Sequence, residues 1–203
     1  MDNLVCEVRR LPSRRRFSWY ERKLNSITAS EACEESRVIG ASTARTMHDL
    51  SEECSRIPTA SISHLQFEAT SCARGAQLAE ARGWIALPAA HLAAAPPSEA
   101  ALLALIHELS EVGGPIVKVA YPCDTPEAIS IGLNVLQCRD PGMPEVALIP
   151  RGSRQARVLF ALAGSRLVYA PLRQTSERMS ADWFRGLTTR SSTLDPGVQD
   201  FLA

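Results

Sequence analysis

The sequence predicts an α/β fold of the (β/α)8, TIM-barrel type, and three observations carry that expectation. Short apolar stretches rich in Val, Ile and Leu alternate with helical stretches at regular spacing, the pattern of parallel β/α units. The glycine-rich phosphate loop that would announce an open, doubly wound sheet is absent. His91, Asp49 and Arg157 fall near or just after the ends of expected strands, which is where a barrel gathers its site. The chain of 203 residues fits a single domain, residues 1–203, with a substantial core. Seven strands are recognisable, so the barrel is expected to be incomplete, about seven β/α units with its first strand not evident.

The elements follow in order. Leu4 to Arg9 alternates apolar and polar residues as a short strand does, and places Glu7 and Arg9 on one face. Trp19 to Glu35 has mixed helical character without a clean apolar stripe. Arg37 to Ser42 is the second expected strand, followed by the polar loop Thr43 to Asp49 and a short acidic helix around Leu50 to Cys54. Ile62 to Glu68 is the third strand. The alanine-rich stretch Cys72 to Arg82 is helical, with Gly83 placed to stop it. Trp84 to Pro88 is the fourth strand, ending near His91. Ser98 caps the clearest helix, with Leu102, Leu105, Ile106, Leu109 and Val112 on one face. Gly113-Gly114 ends it, and a strand containing Lys118 follows. A helix from Thr125 to Leu136, the strand Val146 to Ile149, a helix from Arg154 to Leu162, the strand Leu167 to Ala170 and a helix from Ser180 to Leu187 complete the chain.

Composition narrows the function classes. Formal net charge is zero, which gives no long-range field towards nucleic acid or an acidic membrane. The basic run Arg14-Arg15-Arg16 is expected to be a solvated loop. Six cysteines show neither a CxxC pair nor the spacing of a zinc site, so no metal and no cofactor is expected. Scattered thiols with no apolar stretch of signal-peptide length point to a reducing, cytoplasmic setting. The most apolar region, Trp84 to Ile106, is interrupted by prolines, His91 and Glu99, so no membrane span is expected. The expected partner is a small-molecule substrate.

One residue stands out. The chain uses twenty arginines and only two lysines, Lys23 and Lys118, and the second sits in the apolar run Ile116-Val117-Lys118-Val119-Ala120. Arginine stays charged, whereas a desolvated lysine can release its proton and act as a nucleophilic amine that forms Schiff bases with carbonyl compounds. The plain structural reading is a lysine on an edge strand with its head in water.

From Ala89 to Phe184 the sequence resembles type I 3-dehydroquinate dehydratase, the Schiff-base-forming enzyme of the shikimate pathway. The resemblance rests on three segments in order: His91 with Pro96 and the helix after it; Gly114-Pro115-Ile116-Val117-Lys118-Val119-Ala120, 27 positions beyond His91; and Arg157 followed by Gly164-Ser165 and Leu167-Val168-Tyr169-Ala170. It implies a lyase that removes water from 3-dehydroquinate. Lys118 would form the imine, His91 would act as general acid and base, and Arg157 would hold the substrate carboxylate. Less directly, it implies substrate contacts for Glu7 and Arg9, which resemble a Glu-x-Arg strand, and for Arg45. Asp49 would orient His91, with Glu68 a competing candidate for that role. The covering loop would run from Ser176 to Ser180.

The chain departs from the family pattern where Leu92 follows the histidine in place of Asp, where Ser180 stands at the position of a lid glutamine, and where the strand before Glu-x-Arg is missing. A homodimer contact or a covering N-terminal helix would then close the barrel. These departures leave open a non-catalytic relative that binds a shikimate-pathway metabolite, and, further off, another Schiff-base lyase or aldolase.

Overall fold

The structure, a computed structural model, describes residues 4–7, 19–27, 37–137, 142–171 and 180–184. Eight parallel strands form one sheet: β1 (Leu4–Glu7), β2 (Trp19–Lys23), β3 (Arg37–Ala41), β4 (His64–Glu68), β5 (Ile85–His91), β6 (Ile116–Pro122), β7 (Glu145–Arg151) and β8 (Val168–Pro171). From β1 to β7 each neighbour in sequence is a neighbour in the sheet, and β8 returns to pair with β1 in parallel, Val5 opposite Tyr169. The sheet is thereby rolled into a nearly closed barrel. At the remaining seam Arg166 donates its backbone N–H to the carbonyl of Val146 at 2.8 Å. The Ser165 hydroxyl also bonds both the N–H and the carbonyl of Leu148, at 3.1 and 3.2 Å. A side chain there does what a ladder does elsewhere.

The expected incompleteness is corrected. All seven recognised strands are present, and the eighth is Trp19–Lys23, in the stretch read as helical. Its residues alternate: Trp19, Glu21 and Lys23 fall on the inner face, while Tyr20 and the buried Arg22 face outwards. Because both Glu21 and Lys23 are polar and inward, the strand lacks the apolar-in alternation that announces most strands. The strand that precedes this polar one is β1. The strand that sequence reading lacked thus follows Glu7 in the chain and does not precede it.

Among the described residues five helices cover the outside: α1 (Met47–Ser55), α2 (Gly75–Ala81), α3 (Glu99–Val112), α4 (Pro126–Gln137) and α5 (Arg154–Leu162). Four are started by a hydroxyl that accepts the backbone N–H three positions on: Thr46 for α1, Ser98 for α3, Thr125 for α4 and Ser153 for α5. The main core lies between strands and helices, with Val38, Leu65, Val117, Val119 and Leu148 meeting Leu50, Leu102, Ile106, Leu109 and Phe160. A second, smaller core fills the barrel itself, from Val5, Trp19, Ile39, Leu87, Ile116, Ala147, Leu167 and Tyr169. Gly114 opens β6 at φ 126°, and a Cβ there would stand 2.5 Å from the carbonyl oxygen of Ala86. Only glycine lets β6 begin so close to β5.

Candidate active site

Along the inner face of five of the strands, from start to end, apolar residues give way to polar ones. Val5 leads to Glu7, Trp19 to Glu21 and Lys23, Leu87 to His91, Ile116 to Lys118, and Ala147 to Arg151. Helices cover the outside of the sheet, and on these five strands the polar side chains gather at the C-terminal end of the inner face. There a cavity of about 520 Å³ is lined by these residues together with Arg45, Gln66, Glu68, Arg157 and Tyr169. That volume suits a small organic ligand.

Lys118 forms the floor of this cavity and its side chain is only 6% exposed. Its Nζ donates to Gln66 Oε1 at 2.7 Å and to Glu21 Oε2 at 3.3 Å, and it lies 3.9 Å from the centre of the Tyr169 ring. In an eight-stranded barrel β2 and β6 are diametrically opposed, so Glu21 meets Lys118 across the barrel axis. A buried ammonium needs partners of this kind, because desolvation without them costs several kcal/mol. The edge-strand reading of Lys118 is thus excluded: β6 is an interior strand, paired on both sides by β5 and β7.

His91 ends β5. Lys118 pairs with Ala89, and Ala120 with His91. The two side chains therefore point to the same interior face, His91 lying roughly 6–7 Å nearer the mouth along the strands. Glu68, at the end of β4, grips His91 twice. Its Oε2 lies 2.8 Å from Nδ1 and its Oε1 accepts the backbone N–H at 3.3 Å. An ionised carboxylate only accepts, so Nδ1 carries a proton and Nε2 is the nitrogen left for exchange. The next residue is pinned as well: the Leu92 N–H reaches Ala120 O at 2.8 Å and its carbonyl accepts from Arg151 Nη2.

Of the residues singled out from sequence, Lys118, His91, Arg157, Glu7 and Arg45 line the cavity, and so does Glu68. Arg157 reaches in from the first turn of α5, is buried, and donates Nη1 to the Tyr169 carbonyl at 3.0 Å. Asp49 is not brought there. It is exposed in the first turn of α1, and the carboxylate on His91 is that of Glu68. Ser180 is also absent from the cavity lining, and its hydroxyl accepts the Trp183 N–H at 3.2 Å, capping a helical turn. Arg9 and Ser176 lie outside the described residues. Sequence reasoning did not single out Glu21, Gln66, Arg151 or Tyr169, nor Lys23 as a site residue. The signal was available in β4, where His64, Gln66 and Glu68 alternate with Leu65 and Phe67.

Two tyrosines and four thiols near the barrel are shifted by burial. Tyr169 is held well above its ordinary pKa by desolvation, with Glu21 and Glu7 adding to it, so it stays a neutral phenol. Burial pushes the Cys123 thiol up to about 12, and those of Cys6 and Cys54 to about 11. None of these thiols is an activated nucleophile. Among the described residues no group of His, Cys, Asp and Glu is arranged to hold a metal ion, and no helix is long and apolar enough to cross a membrane.

No protein-family model matches the sequence, and no curated protein does either. Solved structures do match. The 3-dehydroquinate dehydratase of Geobacillus kaustophilus superposes with a TM-score of 0.77 at 15% identity, over 95% of this chain and 92% of that one. The type I 3-dehydroquinate dehydratase of Clostridium difficile, solved with covalently modified comenic acid, gives 0.76 at 9% identity, over 95% and 93%. The barrel is built like theirs. A phosphoribosyl anthranilate isomerase from Thermococcus kodakaraensis also matches, at a lower TM-score of 0.57 and 10% identity, over 92% and 87%. At such identities the likeness is one of fold, and the chemistry has to be argued from the cavity.

Proposed function

We propose that this chain is a Schiff-base-forming lyase of the 3-dehydroquinate dehydratase kind, removing water from a hydroxylated cyclic ketone acid. The observation that supports it is the pairing on one inner face of a buried amine, Lys118, with a carboxylate-held imidazole, His91, at the open end of the barrel.

In this reading the neutral amine of Lys118 adds to the substrate ketone, and Glu21 is the group within hydrogen-bond range to take the proton it sheds. Loss of the carbonyl oxygen as water leaves an imine, an electron sink that acidifies the adjacent C–H. His91 Nε2 removes that proton. The electron pair forms the new C=C bond as the β-hydroxyl leaves, protonated by the same imidazole. Hydrolysis of the imine then returns Lys118 and releases a conjugated enone. Arg157 pairs with the substrate carboxylate, for which a guanidinium offers a bidentate fit.

The test is turnover of 3-dehydroquinate followed by ultraviolet absorbance of the enone product. Enone formation that disappears in Lys118→Met supports the reading, and undiminished turnover in that variant contradicts it. A second reading is a binding-only barrel. It draws on the engagement of Lys118 by Glu21, Gln66 and Tyr169, which opposes its release for attack. It predicts that 3-dehydroquinate raises the melting temperature while no enone appears.

A further inference from the structure

Gln66 is the nearest polar partner of Lys118, and half of its amide is left over. It sits in the middle of β4, only 4% exposed, and its Oε1 accepts from Lys118 Nζ at 2.7 Å. An ammonium only donates, so the amide oxygen faces Nζ and the NH2 group lies beside that contact. The amide is rigid, which keeps Nε2 about 2.2 Å from Oε1. Nε2 has no hydrogen-bond partner among the described residues, and it is open to the cavity that Gln66 lines. The Tyr169 hydroxyl, by contrast, is a donor without a partner that burial seals off.

Amine addition creates charge where such a donor is needed. The Nζ–C bond forms, the carbonyl π pair moves onto the ketone oxygen, and the proton shed by nitrogen goes to Glu21. The oxygen then lies about 2.4 Å from Nζ, across a single carbon. Nε2 is one amide width from the atom that touches Nζ, so an oxygen on that side comes within its reach. The other groups around Nζ do not supply a donor there: Glu21 is the acceptor, and Tyr169 offers its ring face. His91 stands one inward step nearer the mouth and is held by Glu68. β4 thus serves both reacting groups from successive inward positions, Gln66 for the amine and Glu68 for the imidazole.

We propose that Gln66 is a catalytic residue whose amide NH2 donates to the ketone oxygen of the substrate as Lys118 adds to it. The inference rests on the Schiff-base reading of Lys118. Gln66 transfers no proton; it holds the developing alkoxide by its N–H groups. A donor placed in this way is worth about a hundredfold in rate.

The test is the initial rate of imine formation, read by mixing with 3-dehydroquinate, quenching with borohydride at set times and weighing the Lys118 adduct. Gln66→Met decides by the sign of its effect. A Gln66 that merely solvates the buried ammonium makes the charged form harder to hold when it is removed, so imine forms as fast as in the unaltered protein or faster. A Gln66 that holds the oxygen is expected to slow imine formation about a hundredfold when it is removed, with affinity for 3-dehydroquinate within about threefold. Gln66→Glu keeps an oxygen facing Lys118 and exchanges the NH2 group for an acceptor. It is expected to stay slow from neutral to alkaline pH, where a mere hold on the ammonium is relieved. Circular dichroism melts verify the fold, and either variant alone decides. An undiminished rate in Gln66→Met, or a Gln66→Glu rate that recovers at alkaline pH, overturns this inference and leaves the Schiff-base reading standing. No Lys118 adduct in the unaltered protein overturns both.

Discussion

Glu68 and Asp49 are both carboxylates near a strand end, and the sequence offered either as the partner of His91. The geometry separates them. Glu68 bonds the imidazole and the backbone of His91 together, and Asp49 sits exposed on α1. Glu68→Gln leaves a side chain of the same size whose amide can no longer fix the imidazole by charge. In the lyase reading it lowers kcat at least about tenfold with little change in KM, while Asp49→Ala leaves both within about twofold. Steady-state kinetics of the two variants verifies this, and equal losses would contradict the assignment. Lys118 was legible because lysine is a rare choice in this chain, and His91 and Arg157 through the order and spacing of the segments that resemble the dehydratases. Glu21 was not, because nothing local distinguishes a carboxylate that reaches across a barrel from one in water.

At the scale of the element, β2 and β4 show why reading strands from alternation has a blind side here. In most half-buried strands the apolar face marks the interior. In a barrel wrapped by helices both faces are enclosed, and near the mouth the inner one turns polar. Trp19-Tyr20-Glu21-Arg22-Lys23 thus contains an inward Glu and Lys and an outward, buried Arg, and resembles no strand template. The opposite end of the barrel carries its own polar residue. His64, at the start of β4, is 5% exposed and sits 4.8 Å from the Trp19 ring, with its Nδ1 2.9 Å from the Ser63 hydroxyl. Burial, and then the nearby Arg37 charge, lower its pKa from 6.5 to about 4. The unfolded chain therefore takes up the proton first as pH falls. Stability is unaffected by this group above pH 6.5, declines between 6.5 and 4, and is level again below. Over that window the native protein is expected to lose about 3 kcal/mol more than a His64→Gln variant. Urea unfolding at several pH values measures it, and parallel pH profiles would contradict it.

For the whole molecule, the order and spacing of β/α units were legible over most of the chain, since period and turn residues are local properties. Closure was not. It depends on β8 finding β1 and on Ser165 bonding Leu148 across the seam, contacts between residues far apart in sequence. In the resulting barrel several strands, β1, β2, β5 and β7 among them, run from an apolar inner residue to an ionisable one at the mouth. That gradient gathers Glu21, Gln66, Glu68, His91, Lys118, Arg151 and Arg157 from five strands and a helix into one cavity. It also sets the central claim, that Lys118 is a carbonyl-reactive amine and not merely a buried ion-pair partner. The most direct measurement is intact-mass and peptide analysis after incubation with 3-dehydroquinate and borohydride. The account predicts one stable adduct, mapped to Lys118 and absent from Lys118→Met. An unmodified Lys118 in protein that has bound the ligand, or an adduct that persists in the variant, would contradict it.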